Sequence, residues 1–161
     1  MNNERRLIFL LHSVIRALLL ERSVDDAYLA ICKTVMPGIV MGQFTRSTKI
    51  DSHYLQTVCD FIYQMDNQEW SYASCYSASI VAQLIASANN IDSDIIIGIK
   101  KQDGKISGHA WVQIRSVHPK QIISPGRVSV DDLKVIKRLH PEKALQSWMQ
   151  KRAILDAAVE P

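Results

Sequence analysis

Leu7, Leu11, Val14 and Leu18 recur at spacings of three and four, which predicts an amphipathic helix over residues 4–21 with a broad apolar face. Ser23, followed by Val-Asp-Asp, resembles a capping box and starts a second helix, expected to stop at Pro37 and Gly38. Glycines, a proline and hydroxyls then predict a loop over 37–50, and a third helix, roughly 51–65, carries Leu55, Val58, Cys59 and Ile62 on one face. From Cys75 a small-residue-rich helix of about four turns runs to Asn89 and Asn90. The pattern then becomes β-like: residues 94–101 are dense in β-branched side chains, Asp103-Gly104 signals a tight hairpin, and residues 106–116 return as the partner strand. Residues 117–120 turn again and Gln121–Ser124 start a third strand. Two closing helices are predicted, one opened by Ser129 and running to Leu139, the other starting at Pro141.

Helices, then an antiparallel meander, then helices make an α+β fold and not the strand–helix alternation of a parallel sheet. The expected organisation is one domain over 1–161: a helical subregion at 1–66, a core at 67–126 with a helix packed on a small antiparallel sheet, and C-terminal helices at 127–161. A chain of 161 residues, 47% of them hydrophobic, has enough apolar surface for one core and too little for two domains. The formal charge of +3, from 19 basic and 16 acidic residues, is scattered without a basic block, which argues against nucleic-acid binding. Nothing reaches the roughly 20 apolar residues of a membrane span. The first segment superficially resembles a signal sequence, but His12 and Arg16 interrupt its apolar run and no small-residue cleavage site follows, so it is read as a helix.

Three cysteines without a CxxC pair fit a reducing cytoplasm better than a disulfide framework. Cys32 and Cys59 lie on apolar helix faces and are expected to behave as small core hydrophobes. Cys75 stands elsewhere, where a loop turns into a helix, with Ser71 and Ser74 as possible caps. Backbone N–H groups and the helix dipole there favour an anion, and so a thiolate. A nucleophilic cysteine needs a base, and a strand packed across the helix start is a suitable place for one; His109, leading the second strand of the hairpin, is the candidate. Each feature alone is ordinary, and the joint arrangement gives them weight: cysteine opening a helix, two strands on a tight turn, histidine on the second. His12, His53, His118 and His140 lack metal-ligand spacing, so no metal site is assigned and no cofactor is expected.

Trp70 five residues before Cys75, the small-residue helix, "IIIGIKKQDGK", and "GHAW" running into an alternating strand together are similar to the transglutaminase-like domain of lasso-peptide maturation B proteins, the microcin-processing leader peptidases. The resemblance covers about residues 68–125. It implies a papain-like cysteine protease that cuts the leader from a ribosomal precursor peptide, with Cys75 as nucleophile and His109 as general base. The implied partners are the precursor, a leader-recognition protein of the RRE kind, for which this chain is too short, and an asparagine-synthetase-like lasso cyclase. An Asp is usual on the strand after the histidine strand, but here that strand is "QIIS". Ser124 or Gln121 falls at the position, and neither supplies the charge that stabilises imidazolium, a loss that costs orders of magnitude in rate. Asp131 and Asp132 are read as helix-start carboxylates. The oxyanion hole is expected from the Cys75 backbone N–H plus Gln68 or Trp70, Trp70 also being a candidate rim or core aromatic. The alternatives are a peptide-binding scaffold that keeps the fold without competent chemistry, and an acyl transferase or amidase using the same pair.

Overall fold

In the computed structural model, which describes residues 3–40, 50–66, 74–115 and 119–159, four helices precede the first strand. Helix α1 (Asn3–Glu21) buries Ile8, His12 and Ile15, while Leu7, Leu10 and Val14 are exposed. The apolar stripe is wider than its neighbours can cover, and the side carrying His12 is taken inward because His12 finds a hydroxyl partner, Ser77. Helix α2 (Val24–Val40) begins as expected: the Ser23 hydroxyl accepts from the Asp26 N–H at 3.2 Å and donates to the Asp26 carboxylate at 2.6 Å. It runs through Pro37 and Gly38, where a stop was expected. Proline's fixed φ is helical, and the helix continues for a further turn although an interior proline removes one backbone hydrogen bond and crowds the carbonyl four residues earlier. The rest of the predicted loop, 41–49, lies outside the described residues. Helix α3 (Ser52–Asp66) is capped by the Asp51 carboxylate, which accepts from the Tyr54 N–H at 2.8 Å, and buries Leu55, Val58, Cys59 and Ile62 as predicted.

Helix α4 (Cys75–Ala88) is the centre of the core, buried almost continuously from Tyr76 to Leu84. Its alanines, serines and valine let α1, α2, α3 and the sheet all approach it closely. Gln83 in its middle is buried but fully engaged: its amide donates to the Ser93 and Leu139 carbonyls at 3.1 and 3.3 Å, and its oxygen accepts from the Tyr28 hydroxyl at 2.7 Å.

Strand β1 (Ser93–Gln102) and strand β2 (Lys105–Ile114) form the predicted hairpin, with Asp103 and Gly104 both at positive φ, as a two-residue primed turn requires. Strand β3 (Gln121–Ile123) pairs with only the end of β2, Val112–Ile114. The segment expected to form a helix from Ser129 instead makes a turn and strand β4 (Lys134–Leu139), antiparallel to β1, giving a four-stranded sheet in the order β3-β2-β1-β4. The Ser-x-Asp signal is used locally, Ser129 donating to the Asp131 carboxylate at 3.1 Å, but Asp131 and Asp132 cap no helix. Pairing of "KVIKRL" with the second edge of β1 outweighs the local signal. The expected C-terminal helices are therefore one strand and one helix, α5 (Pro141–Val159). No helix among the described residues is long and apolar enough to cross a membrane.

Candidate functional site

The helix start that carries Cys75 is tightly built. Ser74, the N-cap, accepts from the Ser77 N–H at 3.0 Å, and the Ser77 hydroxyl accepts from the Ser74 N–H at 3.0 Å, a reciprocal capping box. His12, from α1, joins the same Ser77 hydroxyl at 3.0 Å. Cys75 is the first residue of the helix and is half-buried, unlike the other two cysteines. Burial pushes the Cys32 thiol up to about 11 and the Cys59 thiol up to about 12, so both are inert hydrophobes at neutral pH.

His109 does not lead its strand, as expected, but stands in its middle, because β2 begins four residues earlier at Lys105. It is 7% exposed. Its Nε2 lies 2.9 Å from the Ser124 hydroxyl oxygen, and Ser124 is itself 8% exposed. That hydroxyl donates its one proton to the Val128 carbonyl at 2.7 Å. With the proton spent there, Ser124 can only accept from the imidazole, so His109 carries its hydrogen on Nε2 and leaves Nδ1 as the basic nitrogen. Desolvation holds His109 below the ordinary histidine value, which keeps the ring neutral at pH 7. Trp111, two residues on and so on the same face, stacks with the imidazole at 6.3 Å between centroids. Opposite His109 is Gly98, where a Cβ would meet the Trp111 ring at 2.9 Å; this mid-strand glycine is the space the tryptophan occupies.

The two arms stand at one level of the fold. Helix α4 turns through residues 89–92 into β1, against which it packs, and Gln83 touches Ser93 at the start of that strand. Cys75 lies eight residues before Gln83, about 12 Å of helix, which matches about four residues of strand. That distance along β1 reaches Ile97 and Gly98, the partners of Ala110 and His109. Helix α3 brackets both arms: the Cys59 sulfur donates to the Ala78 carbonyl in the first turn of α4 at 3.9 Å, and Gln56, one turn earlier, bonds the backbone of Ser124. The turn Pro125–Arg127 also contacts α4. Among the described residues, no hydrogen bond joins Cys75 to His109.

Of the two alternatives for a histidine partner, Ser124 is bonded to His109 and Gln121 is exposed at the far end of β3, opposite Ile114. Gln68, Trp70 and His118 lie outside the described residues. His140 bonds Asp92 at 3.2 Å and also Arg115, and the described residues contain no cluster of metal-ligating side chains. Sequence reasoning missed Gln56, whose contact is 68 residues distant and carries no local signature. It also missed the turn after Ser124. The signal there was visible as "SPGR", a proline–glycine pair, and Gly126 sits at φ +66°.

Comparison with known proteins agrees with this arrangement. No curated protein and no solved structure matches the chain significantly. A model of the transglutaminase-like superfamily matches residues 35–132, which take in α3, α4, the hairpin, β3 and the turn that holds Ser124. That match spans more than half of the 161 residues, and the chain belongs to the transglutaminase-like superfamily.

Proposed function

We propose that the protein is a cysteine peptidase that removes the leader from a ribosomally synthesised lasso-peptide precursor. The observation that carries the reading is the proton chain Val128 carbonyl–Ser124 hydroxyl–His109 Nε2–H, which leaves Nδ1 bare as a base on the strand that packs against α4, the helix that opens on a half-buried cysteine. In the proposed reaction His109 Nδ1 takes the Cys75 thiol proton and the sulfur attacks the scissile carbonyl. The tetrahedral intermediate collapses to a thioester as His109 returns the proton to the leaving amine. Water, deprotonated by the same nitrogen, then hydrolyses the thioester and frees the cysteine. The Cys75 backbone N–H, at the first position of α4, is one oxyanion donor, with Gln68 or Trp70 as the second. The partners in this reading are the precursor, a leader-recognition protein and the lasso cyclase that closes the freed amine onto an acidic side chain.

The test is incubation with the precursor encoded beside this gene and its leader-recognition protein, comparing the native chain with Cys75→Ala by mass spectrometry. Native protein should release the leader, and Cys75→Ala should be slower by on the order of 10³-fold or more. Equal cleavage by both ends the assignment of Cys75.

A second reading, a peptide-binding scaffold of the same maturation complex, draws on two observations. Ser124 stands where a carboxylate would stabilise imidazolium. By alternation, His109 also falls on the face of β2 opposite Ala110, Val112 and Ile114, which pack into the core with α4, so a route from its ring to Cys75 has to pass around the strand edge that β3 leaves unpaired. Cleavage by neither protein, with precursor retained on the native chain, favours the scaffold.

A further inference from the structure

The geometry points to Gln56 as a positioning residue that holds Ser124 under His109 and thereby fixes which ring nitrogen is the base. This rests on the reading of His109 as a base, and its test does not depend on turnover. The ladder between β2 and β3 ends at Val112–Ile123, so the backbone of Ser124 has left the sheet. The carboxamide of Gln56 takes the place of the missing strand: its Nε2 donates to the Ser124 carbonyl at 3.0 Å and its Oε1 accepts from the Ser124 N–H at 3.1 Å. The amide can sit only one way round. Its second N–H proton goes to the Asp60 carboxylate at 2.9 Å, so both acceptors face the nitrogen and the one donor faces the oxygen. The other Asp60 oxygen accepts from Arg127, at 3.1 Å from Nε and 2.7 Å from Nη2, and the Arg127 N–H donates to the Ser124 carbonyl at 2.8 Å. Helix α3 thus holds Ser124 and Arg127 of a five-residue turn, Ser124–Val128, which the Ser124 hydroxyl to Val128 carbonyl bond spans from end to end.

That last bond decides the tautomer. If Ser124 shifts, its hydroxyl no longer faces Val128 and His109 at once, and either nitrogen of the imidazole can carry the hydrogen. Among the described residues no hydrogen bond joins Gln56 to the imidazole or to Cys75, and its bonds go to Ser124 and to Asp60, which holds Arg127 of the same turn.

The test reads the ring directly. Long-range ¹H–¹⁵N spectra of the full chain at neutral pH, with the His109 signals assigned by their loss in His109→Gln, should show the Nε2–H tautomer in the native protein. In Gln56→Leu the ratio of Nε2–H to Nδ1–H should fall about fivefold to tenfold, the effect of losing one or two net hydrogen bonds. Val58→Ala, on the buried face of the same helix, should lower the thermal midpoint and leave the tautomer ratio unchanged. Should Gln56→Leu not fold, Gln56→Glu is read in its place; it keeps the acceptor for the Ser124 N–H and loses the donor to the carbonyl, and a smaller shift in the same direction is expected. An unchanged ratio in the folded variant, with a midpoint lowered as in Val58→Ala, overturns the proposal. Because the ratio is read without substrate, equal cleavage by the native chain and Cys75→Ala would end the peptidase reading and leave this result standing.

Discussion

Two buried histidines in this molecule each meet a serine hydroxyl through Nε2. His12 Nε2 meets the Ser77 hydroxyl at 3.0 Å, and His109 Nε2 meets the Ser124 hydroxyl at 2.9 Å. The difference lies in what the serine does next. Ser77 is the third residue of helix α4, and its hydroxyl also serves the Ser74 N–H and carbonyl, so His12 closes a helix cap from outside. Ser124 belongs to no helix or strand, and its hydroxyl passes its proton to Val128 within a turn that α3 holds at Ser124 and Arg127. A histidine–serine contact is therefore no sign of chemistry by itself. Its role follows from whether the serine stabilises an element or orients the ring. Here both roles occur, one supporting the helix start that carries Cys75 and one orienting the proposed base.

The largest effects should separate the two pairs. Ser124→Ala leaves the buried Nε2–H of His109 without its acceptor, which favours the other tautomer and blocks the nitrogen proposed as base. Leader release should fall by about 10²-fold in kcat with KM little changed, less than the loss reported for a wrong tautomer held by a missing carboxylate. Ser77→Ala instead removes one half of a capping box, and the expected result is about 1–2 kcal/mol of lost stability in urea unfolding, with kcat within a few-fold of native. If Ser77→Ala reduces kcat as much as Ser124→Ala at equal folded fraction, the division of roles is wrong.

The same contrast explains what could be read from the residues in advance. Elements whose pattern and partner agree were legible: α3 with Leu55, Val58, Cys59 and Ile62 inward, the Asp103-Gly104 hairpin, and a helix opening at Cys75. Segments whose local signal competes with a distant partner were not. Ser129–Leu139 reads as a capped helix until the free edge of β1 claims "KVIKRL" as a strand. Pro37 reads as a stop, yet α2 continues to Val40. His109 was legible as a candidate from "GHAW", and Ser124 as one of two possible partners, because one sits on a strand of recognisable phase and the other directly follows one. Gln56 was not, since a polar residue on the solvent side of a helix looks the same whether it faces water or a turn 68 residues away.

A smaller effect probes the turn itself. Gly126 is at φ +66°, and a Cβ there would lie 2.8 Å from Cε1 of Tyr63, while the following Arg127 is also at positive φ, 53°. Gly126→Ala should cost about 1–3 kcal/mol, from left-handed backbone strain and displacement of a half-buried ring. Because the turn carries Ser124, activity should fall along with stability. Asn, which tolerates left-handed backbone better, relieves the strain and not the clash, so Gly126→Asn should recover only part of the loss. Full recovery of stability by Asn would mean that Tyr63 moves freely and that the turn is not tightly held against α3.

The smallest effect is a pH dependence, and its sign follows from burial. In the unfolded chain His109 takes a proton near pH 6.5, whereas in the fold desolvation lowers its affinity for that proton. Between those two values the unfolded state binds more protons, so stability rises with pH there. It is lost as pH falls from about 6.5 through the folded value, and is constant below it. One proton limits the slope to about 1.4 kcal/mol per pH unit. Urea unfolding of the native chain and of His109→Gln, measured from about pH 5 to pH 7.5, isolates this contribution as the difference between the two curves, the other histidines cancelling. The difference should favour the native chain increasingly as pH rises through the histidine range. A flat difference would mean that His109 takes up its proton as readily folded as unfolded. A difference of opposite slope would mean that the charged ring is stabilised inside the fold, by a negative partner that Ser124 does not supply, and the comparison with His12 would then have to be redrawn around that charge.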